Sequence, residues 1–447
     1  MHKKLLSGLF WVLLANLVVK PLWILGVEVG VQNTVGNAQY GFYYALFSFS
    51  YIFNILLDLG ITNFNTRNIA QHPQLIGKHL PSLLGVKLCL LVPYLVCTFG
   101  VGLAMGYGSG EFRLLALLCV CQALNSLVLF LRSNFEGLLL FRLDSLFSVL
   151  DRLLMIIICG ALLWSPLRER FSIYWFVYAQ LAAYTVTAAG ALAVLGRKTR
   201  LRGLRWNGPF FLAILKQSAP FALLVLLMAS YNRIDPVLLR RLASDADAGI
   251  YAGAFRLLDA LTMVAYLVSV PLLPVYSRLC RTDRSGIADA TRTVFAPMML
   301  FAVGAALGGC LLADPLMELL YPGRGAAYAP VFRVVVFGIV PISLTYIFGT
   351  LLTAGGHLRQ LNLFAALSLA LNIGTNLLLI PRLGATGSAW ASLTAQGFMA
   401  LAQVALAVRL FHLPLQAFLP PGPKALAGLA RQLVDSVKSR DDSPENV

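Results

Sequence analysis

About twelve apolar segments, each as long as a membrane-spanning helix, follow one another along the 447-residue chain with short polar loops between them. Spanning a bilayer takes about 20 apolar residues, and in lipid only helices and closed barrels satisfy their backbone groups. These segments are too long for barrel strands. A chain with 59% hydrophobic and 12% charged residues is also too apolar to be soluble. The sequence therefore predicts an all-α integral membrane protein. The predicted spans are 6–30, 40–62, 81–106, 113–133, 145–164, 172–196, 212–239, 249–277, 291–313, 329–354, 360–380 and 385–410.

A three-residue signature opens two of these spans, about 208 positions apart. Gly41-Phe42-Tyr43 and Gly249-Ile250-Tyr251 each follow a polar turn. Matching segments in corresponding places predict two similar halves around a central cavity, which is a common transporter architecture. The predicted units are an N-terminal six-helix bundle over 1–196, a basic linker over 197–211, a C-terminal six-helix bundle over 212–410 and a tail over 411–447 with an amphipathic helix at 424–440.

The net charge of +16 follows the loops. Lys and Arg accumulate in alternate loops, with the largest group at 197–205 between the two halves. By the positive-inside rule these loops and both termini are cytoplasmic, and both signatures begin at the outer face. Arg240 and Arg241 lie on the less basic side and are an exception. Topology thus accounts for the basic excess, and we expect membrane lipids, not nucleic acid, as partners.

Motifs for catalysis are missing from the sequence. It contains no phosphate-binding Gly-rich loop ending in Lys-Ser/Thr, no HExxH and no GxSxG elbow. The seven cysteines are scattered, mostly inside predicted spans, without the spacing of a metal site. We therefore predict no catalytic residues, no metal site and no cofactor, and expect that the protein is not an enzyme.

Two cationic side chains lie deep inside predicted spans, where a charge is costly enough to require a reason. Lys20 is in the first span, one helical turn after Asn16, so the two share a face. Pro21 follows at once and is expected to bend the helix there. Arg233 lies in the seventh span beside Asn232. Because their depth makes water hard to reach, we predict that Lys20 and Arg233 face a substrate.

Other polar residues within the spans form pairs at helical spacing. The pairs are Asn54 with Asp58, Arg256 with Asp259, and Asn372 with Asn376, and a further carboxylate, Asp235, lies in the seventh span. Arg256 and Asp259 share a face and either neutralise each other or contact a substrate. The Asn pair either lines a cavity or joins helices through hydrogen bonds.

A series of short motifs occurs in fixed order along nearly the whole chain. The motifs are Tyr40-Gly41-Phe42-Tyr43 through Asp58-Leu59-Gly60-Ile61 to Arg67; Asp235 with Ala248-Gly249-Ile250-Tyr251, Ala254 and Arg256 to Pro271 and Pro274; Leu319-Leu320-Tyr321-Pro322-Gly323 with Tyr328; and Asn372, Asn376, Ile380-Pro381, Gly384 and Gly387-Ser388-Ala389. Their order and spacing resemble those of the polysaccharide flippases, of the O-antigen type, in the multidrug/oligosaccharidyl-lipid/polysaccharide (MOP) exporter superfamily.

The resemblance implies a flippase that moves undecaprenyl-pyrophosphate-linked oligosaccharide from the cytoplasmic to the outer leaflet of a bacterial inner membrane, for O-antigen or capsule biosynthesis. Polysaccharide polymerase and chain-length proteins are then expected partners. Coupling to a Na⁺ or H⁺ gradient, or to the membrane potential, is the expected energy source. The implied roles are diphosphate binding by Lys20, Arg233 and Arg256, sugar contact by Asn16, Asn232 and Asn372, ion coupling by Asp58, Asp235 and Asp259, and bending at Pro21 and Pro220.

Two alternatives remain open at the level of sequence. Multidrug antiporters of the same superfamily have the same twelve-helix plan, although the basic excess favours an anionic cargo over cationic drugs. A membrane-embedded polysaccharide polymerase or glycosyltransferase is the alternative from another class, but the predicted outer loops are short. The related lipid II flippases carry two further helices, for which the tail is too polar.

Overall fold

The computed structural model describes residues 19, 21–72, 74, 76–138, 140–198, 208–269, 272–282, 286–414 and 418. No strand occurs among the described residues, which confirms the all-α prediction. The helices are α1 (Val29–Ile52), α2 (Ile61–Gln71), α3 (Ile76–Ala104), α4 (Ser109–Gly137), α5 (Phe141–Leu163), α6 (Ile173–Lys198), α7 (Gly208–Leu242), α8 (Asp245–Ser269), α9 (Leu272–Thr282), α10 (Gly286–Leu311), α11 (Ala313–Leu320), α12 (Gly325–Val335), α13 (Ile339–Leu344), α14 (Thr350–Ala354) and α15 (Leu358–Phe411). A π-helical segment, Leu22–Glu28, leads into α1, and a 3₁₀ segment, Phe53–Leu57, follows it.

Ten helical runs within the described ranges are long and apolar enough to cross a membrane. Two of them, Leu22–Leu57 and Leu358–Phe411, contain 36 and 54 residues, which is more than one crossing requires. Gly36 interrupts the first with φ 83° and ψ 167°, and Gly384 interrupts the second with φ 53° and ψ −132°. Side chains rarely tolerate positive φ, so glycine permits both breaks. Division at these glycines gives the twelve predicted segments of a multi-pass membrane protein.

Buried apolar side chains form clusters that largely separate by half. Phe176, Leu115 and Tyr43 belong to a core built mainly from residues before 199, whereas Phe332 and Met317 belong to one built almost entirely after 207. Each half also has a second cluster of its own. The apolar packing therefore agrees with two bundles, and the division at 197–211 remains a prediction because residues 199–207 lie outside the described ranges.

The two signature helices cross at their glycines. A Cβ atom placed on Gly41 would lie 1.8 Å from the Asp245 carbonyl oxygen, and one on Gly249 would lie 2.1 Å from the Asn37 carbonyl oxygen. Asp245 follows Asn37 by 208 positions, as Gly249 follows Gly41. Each copy of the signature therefore contacts the same part of the other, as in a two-fold symmetric interface. The repeat found in the sequence is the contact that joins the two halves.

Candidate functional site

Polar side chains join the halves at the end where α8 begins. Gln32 donates through Nε2 to the Gly249 carbonyl at 2.7 Å and to the Tyr328 hydroxyl at 3.0 Å. The Tyr328 hydroxyl donates to Asn37 Oδ1 at 2.5 Å, and its ring stacks on Tyr321 with centroids 3.9 Å apart. Because Gln32 and Asn37 flank Gly36, the helix break itself is fixed by side chains of the second half.

Arg240 adds a second connection at this end. Its Nη2 donates to Glu111 of α4 at 2.8 Å, and its Nε donates to Asp245 at 2.8 Å. The guanidinium also lies over the rings of Phe42 and Tyr107, 4.6 and 5.7 Å from the centroids. One arginine of the second half therefore contacts two helices of the first, which gives a role to a residue that is exceptional in the loop-charge pattern.

Arg256 lies just beyond the glycine crossing and is 4% exposed. Its Nε approaches Glu28 at 3.2 Å, its Nη1 donates to the Tyr321 hydroxyl at 2.6 Å, and its guanidinium lies 4.9 Å from the Tyr40 ring centroid. Its Nη2 is buried without a hydrogen-bond partner. Arg256 thus pairs across the halves with Glu28 and not, as its spacing first suggests, with Asp259 on its own helix.

A cavity of about 910 Å³ begins deeper along α8. Its walls extend from Phe255 and Asp259 to Ser269 and Leu273, toward the end of α8 that lies away from the crossing. Further polar lining comes from Thr262, Tyr266, Tyr346, Thr350, Thr353 and Gln403, and from Tyr51 of the first half. The two halves are therefore in contact at one end of the molecule, and the cavity extends toward the other end.

Arg233 and Asn232 line the inner part of this cavity, together with Asp259. The Arg233 Nη1 donates to the Tyr44 hydroxyl at 3.2 Å, and the guanidinium lies 5.3 Å from the Tyr51 ring centroid. Asp259 is a charged neighbour of Arg233 without direct contact between the two. The cation is therefore held by aromatic side chains of the other half, and its remaining donors are available to an anion.

Asp235 is buried at the packing contact of α7, α8 and α15, away from the cavity lining. Its Oδ1 accepts from Asn372 at 3.0 Å and Asn376 at 2.8 Å, and its Oδ2 accepts from the Tyr251 hydroxyl at 2.9 Å. Only neutral groups donate to this carboxylate among the described residues, and the Asn376 Oδ1 has no partner there. In this structure Asn372 therefore faces Asp235 and not the cavity.

Comparison with known proteins identifies the family. Residues 5–280, well over half of the chain, match the family described as "Polysaccharide biosynthesis protein". The chain belongs to this family. No match was found among curated protein sequences.

Solved structures of several transporters share the fold of this polysaccharide biosynthesis protein. The lipid II flippase MurJ, in an inward closed conformation, aligns over 97% of this chain and 94% of its own length with a TM-score of 0.69 and 14% identity. A MOP superfamily transporter from Pyrococcus furiosus aligns over 92% of this chain and 96% of its own length, with a TM-score of 0.64 and 15% identity. An inward-facing multidrug resistance transporter of the MATE family aligns over 95% of this chain and 95% of its own length, with a TM-score of 0.62 and 13% identity. The match over residues 5–280 confirms the predicted family, and the solved structures show that the chain shares the fold of these transporters.

Of the remaining predicted site residues of this family member, the structure describes only Asp58. Asp58 accepts from Lys87 Nζ at 2.7 Å and also from the hydroxyl of Thr62, inside the first half. Lys20 and Asn16 lie outside the described residues, as does the predicted amphipathic helix at 424–440. Arg233, Arg256, Asn232 and Asp259 are therefore the predicted residues that the structure brings to the junction of the halves.

The sequence analysis does not identify Glu28 at the site, nor the intramembrane cations Lys87 and Arg152. Glu28 lies near the predicted end of the first span, where a charge needs no special reason, so the sequence gives no signal for its role. Lys87 and Arg152 lie in the third and fifth spans, and the rule that an intramembrane charge indicates function could have found both. That rule does not predict the partner of such a charge. Lys87, for example, pairs with Asp58, which lies 29 positions away and outside its helix.

Proposed function

We propose that this protein is a flippase that carries an undecaprenyl-pyrophosphate-linked oligosaccharide from the cytoplasmic to the outer leaflet of a bacterial inner membrane, for O-antigen or capsule biosynthesis. One observation carries the proposal. Arg233 lies at the inner end of a cavity that the second half lines together with Tyr51 of the first half, only the Tyr44 hydroxyl accepts from it among the described residues, and Arg256 lies next along the same path toward the closed end. An anionic head group needs such cations, whereas cationic drugs would be repelled.

The cavity suits the sugar part of such a cargo. Hydroxyl and amide groups of Asn232, Thr262, Thr350, Thr353 and Gln403 offer donors and acceptors along its length. Apolar side chains, among them Leu224, Met228, Phe255 and Met399, line the rest of the cavity and would pack against the apolar faces of the sugar rings. The lipid tail would remain in the bilayer beside the cavity.

Alternating access follows from the junction of the two halves. If both signatures begin at the outer face, as the loop charges predict, the glycine crossing closes the outer end and the cavity is open toward the cytoplasm. Separation at Gly41 and Gly249 with closure at the other end would then deliver the cargo outward. Both termini lie in the cytoplasm in this arrangement.

We assign the coupling of transport to an ion gradient to Asp235. Its oxygens, with those of Asn372, Asn376 and Tyr251, are the hard ligands that a small cation prefers, once the two amides rotate to present Oδ1. Asp259 is near two arginines, and Asp58 is paired with Lys87, so each already has a cationic neighbour. Asp235 has no cationic neighbour among the described residues, and it therefore has the most to gain from a bound cation or proton.

The function is tested by purifying the protein, reconstituting it into liposomes and following translocation of a lipid-linked oligosaccharide. We expect translocation by the wild type and its loss in Arg233→Ala and Arg256→Ala, with the exposed Arg359→Ala unchanged. The same variants should behave alike in a strain that lacks its own glycan flippase. Normal export by both variants at normal protein levels would contradict the assignment of the arginines. Elongation of the lipid-linked sugars without translocation would instead identify a polymerase.

A further inference from the structure

A third arginine lies at the middle of a membrane-spanning helix, and the proposed function has not yet used it. Arg152 is the central residue of α5, with eleven residues on either side. At 1.5 Å per residue it is about 16 Å from each helix end, close to the midplane of a bilayer. Arg233 is similarly the twelfth residue of the span Ala222–Leu242. Each half therefore contributes one arginine at this depth.

The contacts of Arg152 leave its terminal donors free. Its Nε approaches Asp151 at 3.4 Å, and its guanidinium lies 5.3 Å from the Trp23 ring centroid. Among the described residues, neither terminal nitrogen has a hydrogen-bond partner, and the side chain is 28% exposed. A charge at this depth is stable only where it faces a polar space. The two terminal nitrogens of Arg152 therefore carry N–H groups that no described residue accepts from.

Glu28 connects this arginine with the other two. It forms the ion pair with Arg256, and it is also a charged neighbour of both Arg152 and Arg233. Arg256 thus contacts Glu28, which is 25% exposed, while Arg152 and Arg233 interact with it electrostatically over a longer distance. Two further carboxylates belong to this group, Asp151 beside Arg152 and Asp259 near Arg233 and Arg256. Among the described residues Arg256 retains a buried Nη2 without a hydrogen-bond partner, so Glu28 does not satisfy even the arginine closest to it.

We propose that Arg152 is a diphosphate-binding residue of the first half, and that the cargo's pyrophosphate displaces Glu28 and bridges Arg152 to Arg256 and Arg233 of the second half. This inference rests on the proposed function and extends it to the first half. A pyrophosphate offers two phosphate groups where Glu28 offers one carboxylate, and guanidinium groups bind phosphate oxygens in pairs. One phosphate for each half explains why recognition needs the diphosphate. Glu28 then serves as the internal anion that holds the arginines together before cargo enters.

The test measures binding of farnesyl pyrophosphate and farnesyl monophosphate to full-length protein in nanodiscs. We expect the wild type to prefer the pyrophosphate. Arg152→Gln should weaken pyrophosphate binding by about tenfold or more, the value of one charge-assisted contact, and leave monophosphate binding nearly unchanged. Arg152→Lys should lose part of the preference. Arg142→Gln, an exposed arginine on the same helix, should retain it.

A second variant keeps the test decisive if Arg152→Gln does not fold. Glu28→Gln removes the competing charge while keeping the shape, and we expect it to bind the pyrophosphate several-fold more tightly than the wild type. Wild-type preference in Arg152→Gln, or binding by Glu28→Gln that is unchanged or weaker, would overturn the role of Arg152. A wild type that does not distinguish the two lipids would contradict diphosphate recognition itself, and with it the proposed function.

Discussion

Asp58 and Lys87 form an ion pair inside the first half, with side chains 25% and 7% exposed. Lys87 also donates to the Ser126 hydroxyl at 2.8 Å, so the pair belongs to a hydrogen-bonded network. Removal of one partner of a buried pair leaves an uncompensated charge, at a cost of roughly 3 kcal/mol or more. The contacts of Asp58 therefore favour a structural role over the predicted one in ion coupling.

We predict that Asp58→Asn and Lys87→Met each lower the melting temperature of the purified protein, and that the double variant recovers most of the loss because no charge is left alone. Thermal denaturation in one detergent measures all three. The exposed Asp314→Asn is the control. A single variant as stable as this control, combined with loss of ion-driven transport, would restore Asp58 to the coupling role.

Unlike Asp58, Asp235 is expected to stabilise the protein through a bound cation. A cation that binds only the folded protein stabilises it by about 2.7 kcal/mol at a hundredfold excess over its Kd. We predict that NaCl raises the melting temperature of the wild type more than choline chloride does, and that Asp235→Asn folds but loses this difference. An equal response in the variant would show that Na⁺ acts elsewhere, and a response to pH instead of Na⁺ would indicate a proton.

At the scale of elements, the helix crossing at Gly41 and Gly249 sets the distance between the halves. Neither position has room for a Cβ atom, because the obstacle in each case is backbone of the other half. A methyl group there cannot be accommodated by a change of side-chain rotamer. The halves must therefore separate at this end, with α8 moving as a unit because it is continuous through the contact, whereas α1 is interrupted at Gly36 next to it.

We predict that Gly41→Ala and Gly249→Ala each shift the protein toward a conformation separated at this end. The reporter is the spin-label distance between cysteines placed at the exposed positions Gly110 and Ala243, in a background without the seven native cysteines. Both variants should lengthen this distance in most molecules, since the contact is reciprocal. Gly304→Ala, whose Cβ would meet nothing within 4 Å, should leave it unchanged. Unchanged distances in the first two would show that the crossing is not what holds this end closed.

For the whole molecule, the Arg240 contacts connect the two bundles away from the cavity. The side chain is 14% exposed, and its two carboxylate partners are 27% and 37% exposed, so water and salt reach the pair. Each such exposed ion pair stabilises the structure by about 1 kcal/mol at most, and this stabilisation weakens as the ionic strength rises. It can therefore bias the closed state without preventing opening.

We predict that Arg240→Gln increases the population with the long distance between the same two labels, and that Glu111→Gln has a smaller effect because the contacts of Arg240 with the Phe42 and Tyr107 rings remain. High salt should reduce the difference between wild type and variant. Arg382→Gln, an exposed arginine elsewhere, serves as the control. If Arg240→Gln leaves both populations as they are, the arginine contributes to packing alone.

The sequence by itself determined the all-helical membrane fold, the positions of the spans and the presence of the signature in two matching halves. These properties depend on the hydrophobicity of each segment and on the hydrogen bonding of its backbone groups. Both are set locally along the chain and do not depend on which distant residues pack against the segment. It also indicated Arg233, Arg256 and Asp235, because an intramembrane charge is visible wherever it occurs. Only the tertiary structure decided the partners. Glu28 and Arg256 are more than 200 positions apart, and a guanidinium pairs with whichever carboxylate the packing of two bundles brings within 4 Å.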